Sequence, residues 1–372
     1  MFHVPLRRKK NIKRTTVINA IFMILLVVLA SFAAIGWLRT PTETNAISPT
    51  DDLVATAKQE GTITVYGPID PPDWEAKIKP AFLKLYPWAT VNYLGLSTSE
   101  ISARVISEHK AGKPNADVVI HLVAHAIVME NEGALAKYNN PMEGLMNYPD
   151  NATDPQGYCH PFYALPIVTY YNTNYVAEDQ APKSYTDFTD AKWKGKIVME
   201  DPSALGHQGY LFAHLFIVMG NETWTSFMKA LAANNPIVVS TASDVFQKLA
   251  MGEADIGIGY LNDYLGAKDQ SVPVAIDWSP EPFTALTLNS MLVEGALHPA
   301  MAKLMIQFLA AGAGQYALAS TNRVPADAAI AGATTLAGLL PPGKQYVPCA
   351  SNNLDFLKNP EKWSDYYKSL FG

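Results

Sequence analysis

The sequence predicts an α/β protein of two lobes, each a parallel sheet covered by helices, carried behind an N-terminal membrane-spanning helix. Two sets of Val- and Ile-rich strands alternate with helical stretches, which is the grammar of parallel sheets buried on both faces. About 320 residues follow the N-terminal segments, more than a single core usually holds. An apolar run stands directly after a basic cluster, which supplies the membrane helix.

That cluster is Arg7, Arg8, Lys9, Lys10, Lys13 and Arg14, with no acid before Glu43. Val17 to Leu38 follows, 22 residues broken only by Asn19, Ser31 and Gly36. A helix needs roughly 20 apolar residues to cross a bilayer. Residues 17–38 are therefore read as a signal anchor, with residues 1–16 kept in the cytoplasm by their charge. The protein is expected at the cell membrane, single-pass, with its main body extracytoplasmic. Ser31-Phe32-Ala33 leaves a cleaved signal peptide as the alternative, although signal cores are usually only about 7–15 residues long. Residues 39–52 are polar and rich in Thr, Ser and Pro, as a stalk would be.

Charge narrows the partners. The chain has 28 basic and 34 acidic residues; setting aside the seven basic residues up to Arg39 leaves 21 against 34, a net charge of −13. Such a body lacks the basic footprint that nucleic acid requires. The two cysteines, Cys159 and Cys349, are candidates for a disulfide in an oxidising compartment, with two separate thiols as the alternative.

In the first set, strands are expected at Thr62–Tyr66, Thr90–Leu94 and Asp117–Ile120, with a helix over Ser99–Lys110. Trp74, Ile78, Phe82 and Leu85 share a helical face, and Pro80 should kink that helix or restart it. The second set has strands at Ile197–Met199, Ile237–Ser240 and Ala254–Tyr260, and helices at Tyr210–Val218, Glu222–Ala233 and Asp244–Met251. In open α/β sheets ligands sit beyond the carboxyl ends of the strands. Applying that rule selects Tyr66, Asp70, Ser97, Ser99 and His121 in the first set. In the second it selects Ser203, His207, Ser243, Tyr260 and Asn262. Hydroxyls at helix starts suit polar or anionic groups, but each serine can equally cap its own helix, and Ser97 with Glu100 has capping-box spacing.

Several segments in order carry a resemblance. Ala181-Pro182-Lys183-Ser184-Tyr185-Thr186-Asp187-Phe188, then Trp193-Lys194-Gly195-Lys196-Ile197 and Asp201-Pro202, resemble extracellular solute-binding proteins of the ferric-iron-binding type. Tyr171-Asn172-Thr173, Gly252 to Tyr260, and His298-Pro299 before the helix Ala300–Ala311 fit the same pattern. The resemblance runs from about Leu53 to Arg323. It implies a two-lobed type 2 periplasmic-binding-protein fold, with residues 53–165 opening lobe 1 and 166–284 forming lobe 2. Residues 285–372 would return to lobe 1 and end in a tail. It also implies a binding component of an ABC-type uptake transporter, with permease subunits as partners, a small-molecule solute as cargo, and no cofactor.

The family's iron-binding members place a histidine, a glutamate and adjacent tyrosines at landmark positions. Here Asp70 stands for the histidine, no carboxylate lies near His121, and Tyr260 is followed by Leu261. A small polar solute, anionic or zwitterionic, is the expected cargo. Ferric or another metal ion on the same fold, or a surface protein that kept the fold without transport, are the alternatives. His121 and His125 are spaced four apart, without the intervening glutamate of a zinc protease. No nucleophile elbow, phosphate loop or dinucleotide fingerprint is present, so an enzyme is not expected.

Overall fold

The computed structural model describes residues 48–143, 154, 156–267, 271–310, 312–327, 330, 336–344, 346–348 and 354–372. Residues 49–372 form one compact unit. The anchor expected over residues 17–38 lies outside the described residues. Among the described residues no helix is long and apolar enough to cross a membrane.

The compact unit opens with helix α1 (Asp51–Glu60), which begins within the segment expected to be a stalk. Thr50 Oγ1 accepts the Leu53 amide, and Gly61 closes the helix in a left-handed conformation at φ 68°. Strand β1 (Thr62–Gly67) follows. Trp74–Ile78 then forms a π-helical turn that passes into α2 (Lys79–Leu85), with Pro80 in the first turn of α2. Proline has no amide to donate, and it falls where the π-helical turn has already interrupted the regular hydrogen-bond ladder. Trp74, Ile78 and Phe82 are wholly buried as expected; Leu85, at the frayed end, is 52% exposed and does not join them. Strand β2 (Thr90–Gly95), α3 (Thr98–Lys110), β3 (Val118–Leu122) and α4 (Val123–Asn131) complete this half.

The short β4 (Leu135–Ala136) and the long β5 (His160–Asn172) lead to the second half. It comprises β6 (Ile197–Glu200), α5 (His207–Met219), α6 (Asn221–Ala233), β7 (Ile237–Val239), α7 (Ala242–Ala250), β8 (Ile256–Tyr260), α8 (Leu261–Ala267) and β9 (Val274–Asp277). Strand β10 (Phe283–Val293) returns the chain to the first half, where α9 (Pro299–Ala310), α10 (Gly312–Ala319) and β11 (Val324–Pro325) pack. Helices α11 (Leu354–Lys358) and α12 (Pro360–Phe371) close the chain.

The main sheet runs β2-β1-β3-β10-β5-β8-β6-β7. β2, β1 and β3 are parallel, and so are β8, β6 and β7. Between these groups lie β10 and β5, antiparallel to each other and to their outer neighbours. The two parallel groups are therefore lobes joined by two long crossing strands.

Candidate functional site

A cavity of about 580 Å³ lies between the lobes. Its walls are the segments following β1 and β2, with Leu122 at the end of β3, on one side, and the ends of β6, β7 and β8 with the segments after them on the other. Tyr163 and Leu165 from β5 and Leu288 from β10 also line it, as does Arg323, just before β11.

Of the residues expected there, Asp70, Ser97, Ser243, Tyr260 and Asn262 line the cavity. Four others do not, each for a physical reason. Tyr66 points to the opposite face of β1, where its hydroxyl donates to Glu108 Oε1 at 3.0 Å and Arg104 covers its ring. His121 is fully buried inside β3; its Nδ1 accepts the Leu122 amide at 2.8 Å, and its Nε2 lies 2.8 Å from the Thr98 carbonyl. At Ser203 the carbonyl accepts a hydrogen bond from Ser364 Oγ at 2.8 Å, so this residue is tied to α12. His207 is completely buried behind the wall. Ser99 begins α3, and its side chain is not described. Cys159 is buried, and burial followed by nearby Asp154, Glu130 and Glu143 pushes its thiol up; Cys349 lies outside the described residues, so the pairing does too.

The capping alternative divides among the serines. Ser97 forms the capping box: its amide and hydroxyl reach Glu100 Oε2 at 2.9 and 2.6 Å. At α7 the cap is Thr241, whose Oγ1 accepts the Asp244 amide at 3.2 Å. Ser243 is thereby free of capping, and its hydroxyl donates to Asp263 Oδ1 at 3.3 Å.

Three charged residues that sequence reasoning passed over dominate the wall. Arg323 is only 7% exposed and forks onto Asp73 Oδ2 at 2.6 Å and Asp70 Oδ2 at 3.1 Å. Glu200, at the end of β6, has Oε2 2.5 Å from His207 Nδ1. Burial works against a charge on His207, but Glu200 outweighs it, so the imidazole titrates above its ordinary value. Its ring also packs against Tyr260, with centroids 4.4 Å apart. Gly206 makes this packing possible, because a Cβ there would stand 2.5 Å from Glu200 Oε2. Asp263 is pushed up to about 6 by burial, against the opposing help of Ser243, His207 and Arg323. Its Oδ2 and Asn262 Oδ1 are buried acceptors with no protein donor.

The wall thus holds four carboxylate residues, Asp70, Glu100, Glu200 and Asp263, against one guanidinium that two aspartates already engage. It can accept hydrogen bonds from a ligand and neutralise positive charge.

A family model described as bacterial extracellular solute-binding protein matches residues 77–335. The chain belongs to that family. Among solved structures, the substrate-binding protein of an ABC transporter from Agrobacterium tumefaciens is similar at a TM-score of 0.71 and 21% identity, over 84% of this chain and 94% of the other. Iron-bound HitA from Pseudomonas aeruginosa is similar at 0.70 and 18% identity, over 82% and 99%. At these identities the likeness is one of fold, and it bears out the α/β periplasmic-binding-protein architecture. By sequence, the curated "Probable ABC transporter periplasmic-binding protein y4fP" of Sinorhizobium fredii is 26% identical over 186 residues, 48% of this chain and 50% of that protein. The chain thus spans about half the length of this curated relative.

Proposed function

We propose that this member of the solute-binding family captures a small polar solute bearing a cationic group, zwitterions included, and delivers it to the permease of an ABC-type uptake transporter without chemical change. One observation carries the reading: an interlobe cavity whose polar wall has four carboxylates and a single, already engaged arginine. An anion would have to displace Asp70 or Asp73 from Arg323, whereas a cation meets Asp263 and Asn262 acceptors that lack protein donors. Asp70, Ser97, Ser243, Tyr260 and Asn262 are the contacts assigned from both lobes, with Glu200 and Asp263 added. Closing over the solute removes water and strengthens each of these contacts.

Residues 17–38 fit the role of a tether that keeps the binding body next to a permease outside the cytoplasm. The lobe limits near residues 165 and 284 fall inside β5 and at the start of β10, where a hinge would lie. Native mass spectrometry of the compact body from Pro49 tests the reading, with thermal shift against 1,4-diaminobutane, ethanolamine, glycine betaine, arginine, succinate and phosphate. Amines or zwitterions should be retained or stabilise it. Stabilisation by succinate and phosphate alone would overturn the cationic assignment, and conversion of a bound compound would overturn the binding role.

A further inference from the structure

Beside the cavity, a buried and a half-buried histidine of lobe 1 stand at the joint between the lobes without taking part in the wall. His121 and His125 stack with ring centroids 4.1 Å apart and planes 21° from parallel. The His121 tautomer follows from its partners: Nδ1 accepts the Leu122 amide, so Nε2 carries the proton toward the Thr98 carbonyl at 2.8 Å. Ser102 Oγ lies 3.1 Å from that Nε2 and 3.2 Å from His125 Nδ1. A consistent direction runs through the chain: the hydroxyl of Ser102 donates to His125 Nδ1, leaving His125 Nε2 protonated.

His125 Nε2 is buried without a hydrogen-bond partner, with the Leu205 backbone of lobe 2 close enough to favour its protonated form. Leu205 adopts a left-handed conformation at φ 54°, which a non-glycine residue holds only when its surroundings enforce it. Burial lowers the His125 pKa to about 4, so the relay is neutral under ordinary conditions. Directly before His125, the Ala124 amide donates to the Tyr210 hydroxyl at 3.0 Å, a hydrogen bond from lobe 1 to lobe 2.

The relay is bonded to the rim of the cavity in lobe 1 and lies beside it in lobe 2. Thr98 belongs to the lobe 1 wall, and Leu205 lies between the wall residues Ala204 and Gly206 of lobe 2. The C-terminal helices back the same joint. Phe356 of α11 is fully buried with its ring 4.9 Å from that of Tyr210. Tyr367 of α12 donates to the Gly209 carbonyl at 3.1 Å. Both helices lie beyond residue 335, where the family match ends.

We propose that His121, Ser102, His125 and Tyr210 are positioning residues forming an interlobe latch that holds the empty protein partly closed. The latch deepens the solute-binding reading, since a protein already populating its closed form spends less of the solute's binding energy on closure. The existence of the latch, however, is read without solute, so its failure and the failure of that reading are separable.

The test is small-angle neutron scattering of the full chain, solute-free, in detergent matched out by the solvent. His125→Ala and the conservative Tyr210→Phe should each enlarge the radius of gyration by on the order of 1 Å, against about 20 Å for a compact body of this size. Tyr210→Phe keeps the ring against Phe356 and removes only the bridging hydroxyl, so it guards against a misfolded His125→Ala. A melting temperature close to wild type with an enlarged radius is the expected signature. An unchanged radius in a folded Tyr210→Phe and in a folded His125→Ala would overturn the latch, whatever solute the protein proves to bind.

Discussion

The imidazole of His207 stands 2.5 Å from a carboxylate oxygen of Glu200, with the histidine wholly buried and the glutamate turned into the cavity wall. This pair ties the start of α5 to the end of β6 and fixes one of the wall's negative charges. Glu200 neutralises a histidine that burial alone would keep uncharged. His207→Phe should therefore lower stability by about 2–4 kcal/mol, because it leaves a largely buried carboxylate without its partner. Glu200→Gln in the same chain should restore much of that loss. The histidine's raised pKa means the stabilisation is full below its ordinary value near 6.5 and is lost as pH rises through the raised value. Thermal melts across pH 6 to 9 check this; a deficit that stays constant over that range would contradict the ion pair.

Asp263 works in the opposite direction from an ordinary surface acid. Its pKa is raised to about 6, so its contribution to stability is full below about 3.8 and lost as pH rises through about 6. Asp263→Asn should thus stabilise the empty protein at pH 8, on the order of 1–2 kcal/mol, and leave it unchanged near pH 4. A cationic solute needs the carboxylate ionised, so its affinity should fall about tenfold per pH unit below 6. The same substitution should weaken binding at pH 8 by tenfold or more. Calorimetry at pH 5 and pH 8 on both proteins decides the matter, and an affinity indifferent to pH and to the substitution would remove Asp263 from the site.

Ser243 and Tyr260 are two of the three wall positions that strand-end reasoning selects in lobe 2, Asn262 being the third. Ser243 does not cap α7, so Ser243→Ala should cost little stability while disturbing Asp263, its hydrogen-bond partner. Loss of one hydrogen bond to a charged group of the solute corresponds to about 1.5–3 kcal/mol, or roughly 10- to 150-fold in affinity. The solute retained in native mass spectrometry supplies the ligand for this titration. Unchanged affinity in both Ser243→Ala and Tyr260→Phe would move the lobe 2 contacts elsewhere.

What the sequence disclosed depended on whether the physics was local. Strand-helix alternation is local, so β1, β2, β3 and β6 through β8 were legible to within a few residues. β5 was not, because Pro161 and Pro166 are residues that normally argue against an interior strand. Asp263 stands beside Tyr260 and Asn262 in the segment after β8, where the strand-end rule points. Glu200 directly preceded another such segment. The signal was a carboxylate at a strand's end, and only burial shows its weight. Arg323 reaches the wall through β11 pairing with β5, about 160 residues away in sequence, a contact that no local pattern encodes. Side-chain direction was the other limit. Tyr66 and His121 follow the strand-end rule, but alternation along the strand turns Tyr66 to α3, and the backbone around His121 consumes its nitrogens.

The tether proposed for residues 17–38 makes its own prediction. The full chain should fractionate with membranes and need detergent, while the body from Pro49 should stay in solution, since the apolar run precedes it. Recovery of the native protein with its N-terminus near Ala34 would show a cleaved signal peptide instead.

Ferric ion is the cargo named for one structural neighbour, and Tyr260 is the residue here best suited to oppose or admit it. Ferric ion is a hard cation that favours several anionic oxygens. The neighbouring position is Leu261, which is buried and apolar, and the Tyr170 hydroxyl is directed to the Tyr260 carbonyl rather than to the cavity. Among the described residues no three His, Cys, Asp or Glu side chains are grouped to hold a metal ion. Arg323 further engages Asp70, the carboxylate that stands where the resemblance expects a histidine ligand. Two phenols line the cavity, but burial pushes the Tyr163 hydroxyl up and away from ionising, which leaves Tyr260 opposite an arginine-bound aspartate as a weak ferric site. Titration with ferric citrate should therefore give no visible tyrosinate-to-iron absorption band in the wild-type protein. A band that appears and then vanishes in Tyr260→Phe would establish iron as the cargo and overturn the organic-cation reading.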